Sequence, residues 1–336
     1  MPTNLTTNFT DSTSSDATQS VFNTLLLRRA VPMLIHQVGV KMYPLARRSG
    51  KTMIWRRFEE LAVATTPLSE GLNPAGKSKT KTDVSATIQP YGDFIEDSDM
   101  VISTQPDPHT TENVELLGEQ EGRTFDVLYR DLLATATNIT YANGTSTVTV
   151  TEIVDRNDLD RAYRQLMVRN AMKFTPMIMA GSGEGTTPIM PAYWAMCHED
   201  VAFDLRHVDG FVLVSEYPSR GGVMEGEFGA DKNGIRFLSS SQGYVLAGAT
   251  GVTAAGTDKK NTGGFYDIYS IFVVGRDATG GVSLADGNSK IIRKGLDSAG
   301  TSDPLEMRAT VGWKAYDARA VLNQSFLQEI QCAASS

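Results

Sequence analysis

Between Ala17 and Phe58 the chain has no aspartate or glutamate. The same stretch carries eight basic residues: Arg28, Arg29, Lys41, Arg47, Arg48, Lys51, Arg56 and Arg57. The formal net charge is −8, so the remaining residues carry −16. A basic arm on an acidic body suits head-to-tail contacts between identical subunits, because opposite potentials steer encounter and fix register. A solvated basic stretch is the alternative, since exposed charges contribute little alone. Nucleic-acid stacking is disfavoured, because no aromatic series interleaves the basic groups and no basic-region or finger pattern occurs.

Cysteine is nearly absent as well. Cys197 and Cys332 are too few and too far apart for a disulfide framework or a zinc site, and a reduced compartment is the default. No apolar run reaches the ~18 residues that span a bilayer, so no membrane partner is expected. A positively charged leader followed by an apolar stretch is missing, so export is not expected. The glycosylation-type triplets at Asn138 and Asn143 are therefore read as chance matches. The four histidines, at 36, 109, 198 and 207, lack paired ligand spacing, and no metal or cofactor is expected. Residues 1–20 contain no lysine or arginine and are dominated by Ser, Thr, Asn and Asp. Such a segment cannot bury enough to offset its ordering entropy alone.

What is present is an ordinary soluble composition, 41% hydrophobic and 21% charged. Thirty glycines and thirteen prolines imply many turns. Residues 21–49 read as an arm with a short helical turn around Val21–Ala30, limited by Pro32 and Pro44. Lys51–Phe58 and Thr82–Asp93 read as strands around a long polar tip, Thr65–Lys81, which together make a protruding hairpin. Tips this long are usually functional or mobile. Residues 109–137 are the strongest helix candidate, with Val114, Leu117, Phe125, Leu128, Leu132 and Leu133 on one face. Glu119 with Arg123 and Asp126 with Arg130 are expected to pair at i,i+4. Gly118 and Gly122, four apart, would admit another backbone. Ile139–Val150 is expected to form a hairpin through an Asn143-Gly144 turn. A second helix is expected over Leu159–Met172, capped by Asp155 or Asp158. Short strands follow at 211–214, 235–238, 244–247, 269–274 and 290–293, and a strand-rich stretch closes the chain at 308–331. Segregated elements of this kind indicate α+β rather than repeated βαβ.

Three chemical motifs fail on inspection. Arg48-Ser-Gly-Lys-Thr52 ends like a phosphate-binding loop, but Leu45 stands where that motif needs glycine, and a strand follows instead of a helix. Gly181-Ser-Gly-Glu-Gly185 has no strand–helix frame and reads as a hinge. Cys197-His198-Glu199-Asp200 concentrates reactive types, but adjacency does not orient a nucleophile and a base. It reads as the capped start of a helix through Leu205. No catalytic constellation remains.

The order of arm, protruding hairpin, long helix and α+β body resembles the Hong Kong 97-type fold of tailed-bacteriophage major capsid proteins. Sequence blocks carry the likeness further. Thr24–Pro32, Gly50–Phe58, Leu61–Gly71, Gln89–Phe94, Leu116–Gln120, His198–Arg206 and Asp303–Ala315 resemble the podophage N-four-type capsid family. The resemblance implies a structural protein, not an enzyme, that assembles with itself into hexamers and pentamers of an icosahedral virion shell around double-stranded DNA. It implies an N-terminal arm (1–49), an extended loop lying over a neighbouring subunit (50–95), and a peripheral domain (96–189) with spine helix 109–137. An axial domain (190–300) and returning peripheral strands (301–336) would follow. It further implies assembly in the host cytoplasm with separate scaffolding and portal proteins, a possible decoration protein, and DNA on the inner face. The family's Lys–Asn crosslink has no counterpart that can be carried over, and Ala249–Gly264 has no matching block. The expected self-assembly contacts are Arg28, Arg29, Arg47, Arg48, Lys51, Trp55, Arg56, Arg57, Arg308 and Trp313, within the basic tract and Thr301–Arg308. The alternatives are a soluble enzyme built on Cys197 and His198, and a cellular encapsulating shell of the same fold.

Overall fold

The computed structural model describes residues 32–46, 48, 50–68, 70–71, 73, 75–104, 109–174, 190–217, 223–254, 258–284, 289–296, 305 and 307–336. In chain order the first elements are β1 (Lys41–Leu45), β2 (Thr52–Phe58), β3 (Lys81–Thr87), β4 (Gln89–Ser98), α1 (Asp99–Thr104) and α2 (His109–Leu133). Then come β5 (Ile139–Tyr141), α3 (Arg156–Val168), β6 (Tyr193–His198), α4 (Glu199–Leu205), β7 (Phe211–Leu213), β8 (Glu227–Asp231) and β9 (Ile235–Ser240). The chain ends with β10 (Val245–Leu246), β11 (Asn261–Thr262), β12 (Phe265–Tyr266), β13 (Ile268–Val274), β14 (Thr279–Leu284), β15 (Lys290–Lys294), β16 (Arg308–Val321) and β17 (Leu327–Cys332). The architecture is α+β. The expected turn at Val21–Ala30 and the Gly181–Gly185 hinge lie outside the described residues.

Two sheets organise these elements. The smaller runs β1-β14-β16-β15, with β4 also paired to β16. Its inner face carries Val311, Trp313 and Ala315, which alternate along β16 and pack with Tyr91 and Ile95 against Leu117 and Phe125 of α2. The helix is about 37 Å long. Arg319 fastens its middle: the guanidinium pairs with Asp317 and sits 4.4 Å from the Tyr129 ring centre and 5.8 Å from that of Phe125.

The larger sheet runs β5-β17-β13-β6-β9-β8-β7, with β10 on β13. One face takes Leu159, Ala162 and Leu166 of α3 and Val201 and Leu205 of α4 onto Tyr193, Ala195, Phe237 and Ile271. The other face takes Ile35 from the arm and Leu133 from α2 onto Trp194, Met196 and Phe272. Because β6 is buried on both faces, it reads as an unbroken apolar run without alternation, and the sequence gives no strand signal for it. Sheet membership does not follow the chain-order division at 300. β14 and β15 lie with β16, while β17 crosses into the larger sheet.

Several expectations need correction. Ile139–Val150 is not a hairpin. β5 pairs in parallel with β17 instead, and the Asn143 side chain bonds forward to the backbone and hydroxyl of Thr151. Gly144 still has a positive φ, 73°. Thr82–Asp93 is two strands, broken at Ile88, whose amide bonds Lys51 O. Asp126 does not serve Arg130: it turns inward to His36, while Arg130 bonds Asp131 and the carbonyl of Gln242. At Gly122 the close neighbour is a side chain, Leu34 of the arm, 2.9 Å from where a Cβ would stand. The second helix stops at Val168, four residues early, and Asp155 caps it with Asp158 completing a capping box.

Candidate assembly interface

Among the described residues strands β2 and β3 pair only with each other, in antiparallel register from Thr52↔Thr87 to Phe58↔Lys81. A lone two-stranded ribbon is marginal in water unless something holds its base. Here Met53, Trp55 and Ala86 pack on Leu45, Val282 and Ala318, and the Trp55 ring meets Tyr43 edge-on at 5.7 Å. Beyond that anchor nothing is covered: every described residue from Arg56 to Asp83 is exposed. The bare part includes Phe58, Leu61, Val63 and Leu68, the last two 84% and 76% exposed. Large apolar side chains on a projecting, otherwise polar limb mark a contact surface.

The sequence-derived contact residues other than Trp55 lie in different settings. Arg28, Arg29 and Arg47 lie outside the described residues. Arg48, at φ 64°, and Lys51 are exposed beside the hairpin base. Arg56 and Arg57 are exposed but already paired within the hairpin. Arg56 makes a bidentate bond to Asp83 across the strands, and Arg57 bonds Glu59. These partners hold the Asp83 and Glu59 carboxyls below their ordinary range, Thr82 being the larger cause for Glu59. Part of the arm's positive charge is thus balanced within the subunit. Arg308 is exposed and pairs with Glu96 at 3.2 Å, next to exposed Met307. Trp313 is a correction: it lies under α2, 4% exposed, donating its indole N–H to Gln120. Alternation along β16 turns residue 313 inward with 311 and 315.

The described part of the arm is docked, not free. His36 is buried against Asp126, with its backbone N–H on one carboxylate oxygen at 2.8 Å and Nδ1 2.7 Å from the other. Strand β1 then joins β14 in parallel. Sequence reasoning missed a second exposed apolar group on the smaller sheet. Phe94 is 62% exposed, and Ile291 and Ile292 of β15 are exposed as well. Its signal was an aromatic residue that alternates with Gly92 and Glu96, so that no apolar neighbour shares its face of the strand.

Chemistry at Cys197 is unfavourable. The thiol is buried and points to Leu238 O, and burial pushes it far above the ordinary thiol range, the opposite of nucleophile activation. His198 caps α4, its Nδ1 accepting from Asp200 N–H at 3.1 Å. Among the described residues no group of three or more His, Cys, Asp or Glu could hold a metal, and no helix is long and apolar enough to cross a membrane.

No protein-family model matches the chain, and no curated protein does. Solved structures match over nearly the full length. The capsid of Ralstonia phage GP4 covers 95% of this chain and 96% of its own at TM-score 0.67 and 12% identity. The capsid structure of the cyanophage P-SCSP1u covers 96% and 94% at TM-score 0.61 and 16% identity. The head structure of Helicobacter pylori bacteriophage KHP40 covers 97% and 98% at TM-score 0.62 and 10% identity. The fold is therefore the Hong Kong 97-type fold of phage capsids.

Proposed function

We propose that this protein is the major capsid subunit of a tailed bacteriophage, of the podophage N-four type that its sequence blocks resemble. It assembles with itself into hexamers and pentamers of a shell enclosing double-stranded DNA. The observation that carries the reading is the match to phage capsids over nearly the whole chain combined with a hairpin whose described residues beyond its anchored base, Arg56 to Asp83, are all exposed. A shell subunit must contact several neighbours, so its interface area exceeds the ~1,600 Å² of a typical pairwise complex. Projecting limbs supply that area. In this reading α2 and the smaller sheet form the peripheral part, with the hairpin as the extended loop. The larger sheet with α3 and α4 forms the axial part at the capsomer centre. No catalytic role is assigned. Scaffolding and portal proteins act with it during assembly in the host cytoplasm, and the mature location is the virion.

The test is to purify the chain and inspect it by negative-stain microscopy. Closed shells are expected, and a monodisperse monomer under all assembly conditions would refute the reading. Nucleic acid inside shells from infected cells is expected; a protein cargo instead would favour a cellular encapsulating shell. Arg56→Glu places a second carboxylate opposite Asp83, and Trp55→Ala removes the hairpin's anchor. Both variants should fold and assemble poorly.

A further inference from the structure

Helix α2 meets the smaller sheet through Leu117 and Phe125. The face beside that one carries Glu115, Gly118, Glu119, Gly122 and Asp126, which recur at helical spacing. The arm covers the C-terminal half of this face. His36 bonds Asp126 through its backbone N–H and its ring. One turn earlier Leu34 is, among the described residues, the only group within 4 Å of a Cβ built on Gly122. One turn earlier again, a Cβ built on Gly118 would meet nothing. Thr111, Glu115 and Gly118 are exposed. The described chain begins at Pro32, just where the arm would reach this open half.

The two contacts set a register. Two arm residues separate Leu34 from His36, and four helical ones separate Gly122 from Asp126. Two extended residues advance about 6.6 Å and four helical ones about 6 Å, so arm and helix run parallel and in step. Carried back by the same step, residue 32 comes level with Gly118, and the residues before it come level with Glu115 and Glu112. The chemistry along that path is complementary. Residues 21–31 read Val21-Phe-Asn-Thr-Leu-Leu-Leu-Arg-Arg-Ala-Val31, with no acid. In the helical turn expected there, Phe22, Leu25, Leu26 and Arg29 share a side. The first turns of α2 carry Glu112, Glu115, Glu119 and Glu121, with no lysine or arginine before Arg123.

We propose that residues 21–31 lie along the N-terminal half of α2 in their own subunit, as a strap continuous with residues 32–36. The leucines approach the bare backbone at Gly118, and Arg28 and Arg29 meet Glu112, Glu115 and Glu119. Their own subunit is the occupied one because the segment is joined directly to docked residues, which gives it a millimolar-range effective concentration at this face. Arg28 and Arg29 are then neutralised within the subunit and are withdrawn from any contact with a neighbour or with nucleic acid. The contact concerns one molecule, and its test is independent of the shell reading.

The test combines a crosslink with a charge swap, both on dilute, unassembled full-length chain. Ala30→Cys with Thr111→Cys is treated with a short bismaleimide, and the products are mapped by mass spectrometry. Buried Cys197 and Cys332 do not compete. A link joining 30 to 111 within a species of monomer mass is expected. No link, or a link found only between two chains, overturns the proposal. Chymotrypsin reads the charge swap through cleavage at Phe22 and Leu25–Leu27. Arg28→Glu with Arg29→Glu should speed that cleavage about tenfold, because proteolysis follows the population of the open form. Adding Glu115→Arg with Glu119→Arg should restore the parent rate. Cleavage that ignores the first pair of substitutions, or is not slowed again by the second, also overturns it.

Discussion

Replacing residues 59–80 by Asn-Gly separates the hairpin's contribution to folding from its contribution to assembly. Phe58 and Lys81 are already a cross-strand pair, and Asn-Gly supplies the type I′ turn that joins such a pair. Because every described residue among those removed is exposed, the deletion costs almost no described apolar burial. The backbone bond from Glu59 N to Thr80 O, 2.9 Å, is lost, at about 1 kcal/mol. Shortening the loop roughly tenfold returns about 2 kcal/mol of closure entropy. At about 2 cal/mol/K of unfolding entropy per residue, a chain this long shifts its Tm by about 1.5 °C per kcal/mol. The unassembled variant should therefore melt within about 3 °C of the parent in calorimetry. The same variant should give no closed shells by sedimentation and microscopy. A Tm lower by more than about 5 °C would mean that the limb stabilises its own body, and intact shells would mean that it is not an interface. Either result refutes the reasoning.

Four further outcomes are expected. Arg236 and Glu227 form a buried bidentate pair at 2.6 Å, with the guanidinium over Trp194. Arg236→Met strands the carboxylate and should cost about 4 kcal/mol in denaturant unfolding, most of it recovered on adding Glu227→Gln. Burial raises the Glu329 carboxyl above its ordinary range, with Ser270 and Gln331 opposing. The folded state then holds a proton that the unfolded chain releases above about pH 4.3, so stability falls as pH rises through that window. Glu329→Gln should match the parent near pH 4 and melt higher at pH 8; a lower Tm at pH 8 would contradict the assignment. Asp126→Ala leaves His36 buried and unpaired and should cost about 3 kcal/mol, with residues 32–46 becoming the first site of limited proteolysis. Native protein should resist thiol reagents until it unfolds, because both cysteines are buried; fast labelling of Cys197 would reopen the enzyme alternative.

Much of the molecule was legible in its residues. The hairpin strands, the long helix and β16 follow from spacing, because each has one buried face and so one clear period, and the Asp155 cap follows from its side-chain acceptor ahead of a helical pattern. The absence of acid from 17–58 pointed to the arm, and block resemblance pointed to the shell fold. Position in the chain did not reveal that β14 and β17 exchange sheets, nor that β6, buried on both faces, is a central strand. Those facts depend on which surfaces the folded body brings together.

Local pattern determined which segments are helix and strand, because backbone geometry and apolar period are short-range properties. Tertiary structure alone decided where charges and rings end up. Asp126 left its helical neighbour for His36, ninety residues away, because only the packed arm brings a buried donor to that face. Trp313 went under α2, and Phe94 stayed outside, because the register of β4 on β16 sets which side of the sheet each residue faces. Whether Leu61 and Val63 are ever covered depends on neither level within a single subunit, since nothing in the described body reaches them.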